Sequence, residues 1–345
     1  MNRRAFLSAS ALSAVVPALS GAAAPAGRLG IDLFSLRSQG WSPFEYVEYC
    51  SKQKAHVVFF SEIRFLGSLE ESHLQKVRRR AEELGLRIEF GNTSICPSSK
   101  RFVASQGTAE EQLTRWIQAA RTLGSPIVRC FLGTSEDRKG PLPIEGHIEN
   151  TVKVLRAVRS RALDAGVRIA VENHAGDMQA RELKMLIEEA GKDFVGAVVD
   201  SGNSVWALED PHLTLEVLAP YALTSGVRDS ALWRVPEGVA VEWVRMGEGN
   251  VGIEAWCRRF LELCPGKTLA LEIICIPART YAVFDPNFWK GYEGVQAAEF
   301  ARFLALAEKG KPKPPAAPVP KDQVAARERE DLEASVRFCH EVLGI

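Results

Sequence analysis

The stretch ENTVKVLRAVRSRALDAGVRIAVEN, residues 149–173, contains one copy of the pattern that decides the fold. Its first part has the apolar spacing of a helix and ends at Gly166, a residue type that often stops a helix in the left-handed conformation. A short apolar run, residues 167–173, follows at once. Helical segments that end at Gly85 and Gly124 are followed by similar runs. The chain is therefore predicted to alternate helices and strands.

Eight apolar runs follow residue 28, and each predicts a strand: residues 29–35, 56–63, 86–91, 127–133, 167–173, 195–200, 221–227 and 269–274. Nearly continuous apolar strands between amphipathic helices are typical of a parallel sheet that is covered on its faces. Eight such units are what a closed (β/α)8 barrel, the TIM barrel, requires. An open doubly wound sheet is the alternative, but no G-x-G-x-x-G follows the first run.

Three further segments surround the predicted single barrel, which spans residues 27–308. Residues 309–323 are rich in proline and predict an extended connector. Residues 324–345 return to helical spacing and predict a helix that docks on the barrel; a low-complexity tail is the alternative. Residues 1–26 place Arg3 and Arg4 before a short apolar run and small residues, which predicts a twin-arginine signal. An ordinary secretory signal or a weak membrane anchor is the alternative.

These features predict a protein exported to the periplasm. No later stretch of about 20 apolar residues appears, so we expect a mature protein without a membrane span. The seven cysteines include no C-x-x-C pair and are expected to be reduced, buried thiols. The 43 basic and 43 acidic side chains cancel, which argues against a nucleic-acid partner.

Three carboxylates interrupt or end the apolar runs of strands five, six and eight: Glu172, Asp200 and Glu272. In a barrel of this type the chemistry lies at the carboxyl ends of the strands. Carboxylates in such runs are costly to bury unless they are paired or bound to a metal. Three that converge at one mouth predict a site for a hard divalent cation. The alternative is that each pairs with a neighbouring Lys or Arg.

Five motifs together resemble those of the xylose isomerase-like barrel superfamily. They are GIDLFSLRS (30–38), ENH (172–174), VVDSGN (198–203), MGEGNVG (246–252) and LALEII (269–274). The resemblance is to its sugar phosphate isomerase/epimerase branch, which includes ketose 3-epimerases. It implies a divalent metal (manganese, magnesium or cobalt) held by Glu, Asp, His and Glu at the ends of strands five to eight. Glu172, Asp200 and Glu272 match the three carboxylates by position.

The fourth position departs from the family pattern. Where the family has His-hydrophobic-Lys-Asp, this chain has Gly226-Val227-Arg228-Asp229. Glycine cannot bind a metal, so weakened metal binding is expected. His174 could take the place of the missing imidazole, because in a strand its side chain points the same way as that of Glu172. Complete loss of the metal, leaving a sugar-binding protein without catalytic activity, is a further alternative.

The resemblance implies an isomerase or epimerase that acts through an enediolate, with Glu172 and Glu272 as the catalytic carboxylates. The candidate substrate-binding residues are His174, Asn203, Arg129 and Arg228; a structural ion pair is the alternative role for Arg129. A lyase or decarboxylase that acts on an oxidised sugar would use the same intermediate. The expected partner is a small sugar-like molecule, preferably unphosphorylated, and a homo-oligomer is left open.

Overall fold

A computed structural model describes residues 27–314 and 318–345. The predicted signal, residues 1–26, lies outside these described residues. Eight parallel strands form one sheet in the order β10-β1-β2-β3-β4-β5-β6-β7. They are β1 (Arg28–Asp32), β2 (Val57–Phe60), β3 (Arg87–Ser94), β4 (Ile127–Phe131), β5 (Arg168–Glu172), β6 (Val195–Asp200), β7 (Ala222–Gly226) and β10 (Thr268–Leu271).

The sheet curves back on itself between its two end strands, β7 and β10. Val227, just after β7, forms an isolated parallel bridge with Leu271. Its N–H donates to the Ala270 carbonyl at 2.7 Å, and its own carbonyl accepts from the Glu272 N–H at 3.0 Å. The predicted (β/α)8 barrel is confirmed, with all eight strands where the apolar runs predicted them.

Helices alternate with the strands on the outside of the barrel. Their bounds are α1 (Pro43–Lys52), α2 (Glu71–Glu83), α3 (Ala109–Leu123), α4 (Ser135–Arg138), α5 (Ile144–Ala165), α6 (Ala180–Ala190), α7 (Ser201–Trp206), α8 (Pro211–Leu218), α9 (Ile253–Leu263), α10 (Ala297–Lys309) and α11 (Val324–Phe338). Gly124 and Gly166 end α3 and α5 with φ of 72° and 66°, the left-handed conformation expected of these stops. None of the helices in the two described ranges is long and apolar enough to cross a membrane.

The C-terminal helix α11 packs against β10 and against the turn that follows β1, where an eighth outer helix would lie. Near its start, the Ala325 carbonyl accepts a hydrogen bond from Gln39 at 2.7 Å. Further along, Glu333 accepts one from the Tyr49 hydroxyl at 2.9 Å. The apolar residues that face the barrel core are buried, among them Leu332 and Val336. The helix therefore covers the side of the barrel beside the first and last strands.

A small antiparallel sheet is inserted around the last two barrel strands. It consists of β8 (Asp229–Val235), β9 (Gly238–Val244) and β11 (Ile276–Tyr281), in the order β11-β9-β8. This sheet was not among the predicted elements. It matters for the site because β8 begins directly after Arg228, and β9 carries Trp243 over that side chain.

All seven cysteines are free thiols, and six of them are buried. Burial raises the pKa of the Cys130 thiol to about 12, as expected for a thiol in apolar surroundings. Cys275 is the half-buried exception. The expectation of reduced thiols fits this arrangement.

Candidate active site

Four strands of the barrel deliver a buried carboxyl group to the same mouth. Glu172 and Asp200 are the last residues of β5 and β6, and Glu272 follows β10 directly. Oxygen atoms of these three carboxylates all lie within 4.8 Å of one another, and their exposed fractions are 2%, 0% and 6%. The structure thus brings together the three carboxylates that the sequence singled out. Asp32, the last residue of β1, is the fourth buried carboxyl group.

Two asparagines fix the positions of these carboxylates. Asn173 clasps the Asp200 backbone, since its side chain donates to the Asp200 carbonyl and accepts from the Asp200 N–H, both at 2.9 Å. Asn203 donates through its side-chain amide to Glu172 Oε1 at 3.0 Å. Its backbone N–H donates to Asp200 Oδ1 at 2.6 Å, so Asp200 also caps α7. The ENH and DSGN motifs therefore hold Glu172 and Asp200 in fixed orientations.

Arg228 lies between two of the three carboxylates. Its Nη2 atom donates to Asp200 Oδ2 at 2.5 Å and also contacts Glu272 Oε2. The side chain is buried, and its guanidinium carbon lies 4.3 Å from the centre of the Trp243 ring. Arg228, which was predicted to bind substrate, is thus a buried ion-pair partner of the acidic cluster.

Arg129 pairs with the third carboxylate. Its Nε donates to Glu172 Oε2 at 2.5 Å, and its Nη1 donates to the Asn92 carbonyl at 2.9 Å. Both partners are buried. Each carboxylate of the cluster therefore contacts a guanidinium group, which is the ion-pair alternative that the sequence left open.

His174 does not take the place of the missing imidazole. Its ring stacks on Phe131 with centroids 3.8 Å apart, and its Nδ1 lies 2.7 Å from the Gly133 carbonyl oxygen. It is not among the groups that meet within 4.8 Å. Burial lowers the pKa of His174 to about 4, so the ring is neutral near pH 7. It is a neighbour of the cluster on the side of β4 and β5.

Gly226 sits too close to Asp200 to carry a side chain. A β-carbon at this position would lie 2.5 Å from Asp200 Oδ2, far inside van der Waals contact. The Asp200 carboxylate thus fills the space beside Gly226 in which the family pattern has a histidine side chain.

The carboxyl groups of the site differ in their affinity for protons. Burial alone would raise the pKa of Glu172, but Arg129 and other neighbours outweigh it and hold that pKa below its usual range. Burial raises the pKa of Asp200 to about 6, although Arg228 opposes the rise. Burial also raises the pKa of Glu272 well above its ordinary value. Carboxyl groups with such separated pKa values are common where protons are transferred.

Asp32 and Trp243 are site residues that the sequence analysis missed. Asp32 accepts hydrogen bonds from the Ser61 hydroxyl and, at 2.8 Å, from the Phe34 N–H. Burial raises the pKa of Asp32 to about 7. It is a carboxyl group within the first predicted apolar run, as Glu172 is within the fifth, and this signal was present in the sequence. Trp243 comes from the unpredicted β9 and had no comparable signal.

The carboxylates have the donor chemistry of a divalent-cation site. The guanidinium of Arg228, however, already contacts two of them. A divalent ion bound to the same oxygens would lie against a buried positive charge, and Gly226 offers it no fourth ligand. The residues do not fit such an ion while Arg228 keeps these contacts, so the expected metal stays a prediction.

Fold and site together define a class: (β/α)8 barrels with an acidic cluster at the carboxyl ends of the strands. Residues 42–287 match the family described as xylose isomerase-like TIM barrel. The chain belongs to this family.

Individual relatives are distant. A 3-oxo-isoapionate decarboxylase of Pectobacterium atrosepticum is 23% identical over 188 residues, which cover 54% of this chain and 61% of that protein. The chain therefore spans less than two thirds of this curated relative. The D-psicose 3-epimerase of Clostridium cellulolyticum, solved with D-tagatose, superposes with a TM-score of 0.57 at 12% identity, covering 81% of this chain and 96% of the epimerase. The IolI protein, solved with a zinc atom, superposes with a TM-score of 0.55 at 14% identity, covering 82% of this chain and 99% of IolI.

Proposed function

We propose that this chain is an isomerase or epimerase that abstracts a proton next to the carbonyl group of a small sugar-like substrate. One observation carries the proposal: Glu172 and Glu272 converge at one barrel mouth, with Asp200 between their strands and two guanidinium groups beside them. Paired carboxyl groups next to fixed positive charge are what enolisation needs, because a proton must be moved while negative charge develops on oxygen.

The steps balance without an oxidant or a reductant. One carboxylate of the Glu172/Glu272 pair takes the proton from the carbon next to the carbonyl, and the C–H electron pair moves to the carbonyl oxygen to give an enediolate. For isomerisation, a proton is delivered to the former carbonyl carbon, and the proton of the neighbouring hydroxyl passes to the enediolate oxygen, so that the new C=O bond forms at the carbon that lost its proton. For epimerisation, the other carboxyl group of the pair delivers a proton to the opposite face of the same carbon. Arg129 and Arg228 stabilise the developing negative charge. Asn203 orients Glu172, and His174 contributes a neutral ring nitrogen for a substrate hydroxyl.

The structural neighbours support a sugar-like substrate, since one of them was solved with D-tagatose. A zinc-bound neighbour is the comparison that speaks for a divalent cation, against the fit of the residues present. Glu172, Asp200 and Glu272 would be its ligands, and it would require Arg228 to move away. No step of the proposed reaction depends on that ion.

A decarboxylase or lyase that acts on a sugar acid is the second candidate. Loss of carbon dioxide from a β-keto acid breaks a C–C bond and leaves the electron pair on the same type of enolate oxygen, after which carbon is protonated. The curated relative is named a decarboxylase. The strand ends thus suit either reaction, and the substrate decides which one occurs.

A basic cleft favours a substrate with a carboxylate group. A cleft of about 1100 Å³ lies at the same mouth beyond β2 and β3, and its lining includes Lys100, Arg101 and Arg115. It also includes Asn92, whose carbonyl accepts a hydrogen bond from Arg129. Positive charge in a cleft raises the local concentration of anions. The cleft therefore supports the sugar-acid substrate that the second candidate requires.

Deuterium exchange tests the shared step without knowledge of the product. Ketoses and keto sugar acids are incubated with the protein in D2O, and NMR follows the C–H signal next to the carbonyl and the release of carbon dioxide. We expect deuterium incorporation or decarboxylation with at least one compound. Glu172→Gln and Glu272→Gln should each slow it by about 10²- to 10⁴-fold.

Glu248→Gln, at an exposed position of the turn 246–249 on the barrel rim, is the control and should behave like the wild type. If neither deuterium nor carbon dioxide appears with any compound, or if both site variants match the control, enolisation at this cluster is wrong.

A further inference from the structure

We propose that Arg228 is the resident cation of this site: its guanidinium occupies the position between Asp200 and Glu272 that a divalent ion would take, so the wild-type chain holds no metal there. The position of Arg228 between the two carboxylates does not depend on which reaction the site performs. Only its consequence, that Arg228 supplies the positive charge for the developing enediolate, rests on the proposed function.

The contacts of Arg228 leave no room for a second cation. Its Nη2 lies 2.5 Å from Asp200 Oδ2 and also contacts Glu272 Oε2. A divalent ion bound to these oxygens would have to lie about 2.0–2.6 Å from each of them. It would then lie in direct contact with the guanidinium nitrogen. Two positive charges at that separation in a buried site repel each other strongly.

The surroundings are shaped to hold the arginine in place. Residue 202 is glycine, and a β-carbon there would overlap the Cγ and Cδ atoms of Arg228. The guanidinium lies 4.3 Å from the centre of the Trp243 ring, which suits a cation–π contact. Trp243 is held in turn by a 2.9 Å hydrogen bond from its Nε1 to the Gly202 carbonyl and by stacking on Trp206 at 3.9 Å. Both the stem and the planar head of Arg228 are thus enclosed.

The chain itself provides a guanidinium partner for every carboxylate of the cluster. Glu172 pairs with Arg129, and Asp200 and Glu272 share Arg228. Arginine stays charged at every pH at which proteins fold, so both positive charges are permanent. Two permanent positive charges thus face the three carboxyl groups without any metal ion. Gly226, where the family pattern has an imidazole ligand, agrees with a site that binds no metal.

Manganese titration tests this proposal directly. Each protein is stripped with a chelator and titrated with Mn²⁺, and electron paramagnetic resonance measures the free ion. The proteins are the wild type, Arg228→Met, Arg228→Lys, Asp200→Asn and the double variant Arg228→Met/Asp200→Asn. Met keeps much of the stem but removes the charge, whereas Lys keeps the charge.

The wild type and Arg228→Lys should bind no more Mn²⁺ than Asp200→Asn does. Arg228→Met should gain one site, with binding at least about tenfold tighter than in the wild type, a change of about 1.4 kcal/mol. The double variant should lose this site again, which locates it at the acidic cluster.

A wild type that binds one Mn²⁺ per chain, with binding weakened by Asp200→Asn, would overturn the proposal, and so would a folded Arg228→Met that gains no site. If Arg228→Met does not fold, the comparison of the wild type with Asp200→Asn decides alone. These outcomes are separate from deuterium exchange: a manganese-binding wild type that still exchanges deuterium removes this inference and leaves the proposed function in place.

Discussion

Gly202 lies directly against the side-chain stem of Arg228: a β-carbon at residue 202 would lie 2.2 Å from Cγ and 2.4 Å from Cδ of the arginine. The two residues belong to different parts of the mouth, since Gly202 is in the first turn of α7 and Arg228 follows β7. The glycine of the DSGN motif thus has a packing role. It makes the room in which the arginine reaches Asp200 and Glu272.

Gly202→Ala should lower the free energy of unfolding by about 1–3 kcal/mol, because the added methyl overlaps the Arg228 stem. In an Arg228→Ala background the same change should cost less, with a coupling of about 0.5–3 kcal/mol between the two sites. Urea unfolding of the four proteins measures this double-mutant cycle. Gly294→Ala is the control, since a β-carbon there would lie 3.6 Å from its nearest neighbour. A coupling free energy of zero would contradict the predicted steric contact between residue 202 and the Arg228 side chain.

Gly226→His, which restores the residue of the family pattern, should not create a metal site by itself. The new β-carbon would lie 2.5 Å from Asp200 Oδ2, so we expect a loss of stability of about 1–3 kcal/mol. Arg228 would still contact the carboxylates. Combined with Arg228→Met, the same histidine should tighten Mn²⁺ binding beyond that of Arg228→Met alone. Thermal unfolding and manganese titration check both statements, and tight metal binding by the single variant would contradict them.

Glu209 should make the protein less stable as the pH rises from about 4.5 to 8. The carboxyl group is buried and accepts hydrogen bonds from the Ala180 N–H at 3.0 and 3.1 Å. Burial raises the pKa of Glu209 to about 8, and the neighbouring Glu182 and Glu299 add to the rise while Arg181 opposes it. The folded state therefore keeps a proton that the unfolded state releases near pH 4.5, so stability is lost through this window.

Glu209→Gln should remove this dependence, because the amide is a neutral mimic of the protonated acid. Relative to the wild type, the variant should gain stability between pH 5 and pH 8.5 by up to several kcal/mol, at about 1.4 kcal/mol per pKa unit. Guanidinium unfolding at the two pH values measures it. Glu254→Gln, at an exposed position of α9, is the control. A difference between wild type and variant that is equal at both pH values would contradict the prediction.

The barrel could be predicted because its signals are local. Helical spacing, the glycine stops and the apolar runs each need only about 20 neighbouring residues, and alternation of these units specifies the parallel sheet. The meeting of Glu172, Asp200 and Glu272 could also be predicted, since the carboxyl ends of all barrel strands lie at one mouth.

The arginine partners could be foreseen only as an alternative. The contacts of Arg228 with Asp200 and Glu272 depend on residues from separate segments. Gly202 and Gly226 leave the space for these side chains, and Trp243 of the inserted β9 covers the guanidinium. No single segment of the sequence contains this relationship. The insertion itself, β8 and β9, lies where the barrel pattern predicted a connection to the seventh helix, and its strands show no two-residue alternation of buried and exposed positions. Asp32 was missed although it interrupts the first predicted strand.

An anomalous diffraction map of crystals soaked in Mn²⁺ tests most directly that the chain supplies its own cation. The anomalous map should contain no manganese peak at the cluster, and the electron-density map of the same crystals should place the Arg228 guanidinium between Asp200 and Glu272. A manganese peak about 2.0–2.6 Å from oxygens of Glu172, Asp200 and Glu272, with Arg228 turned away, would contradict the account.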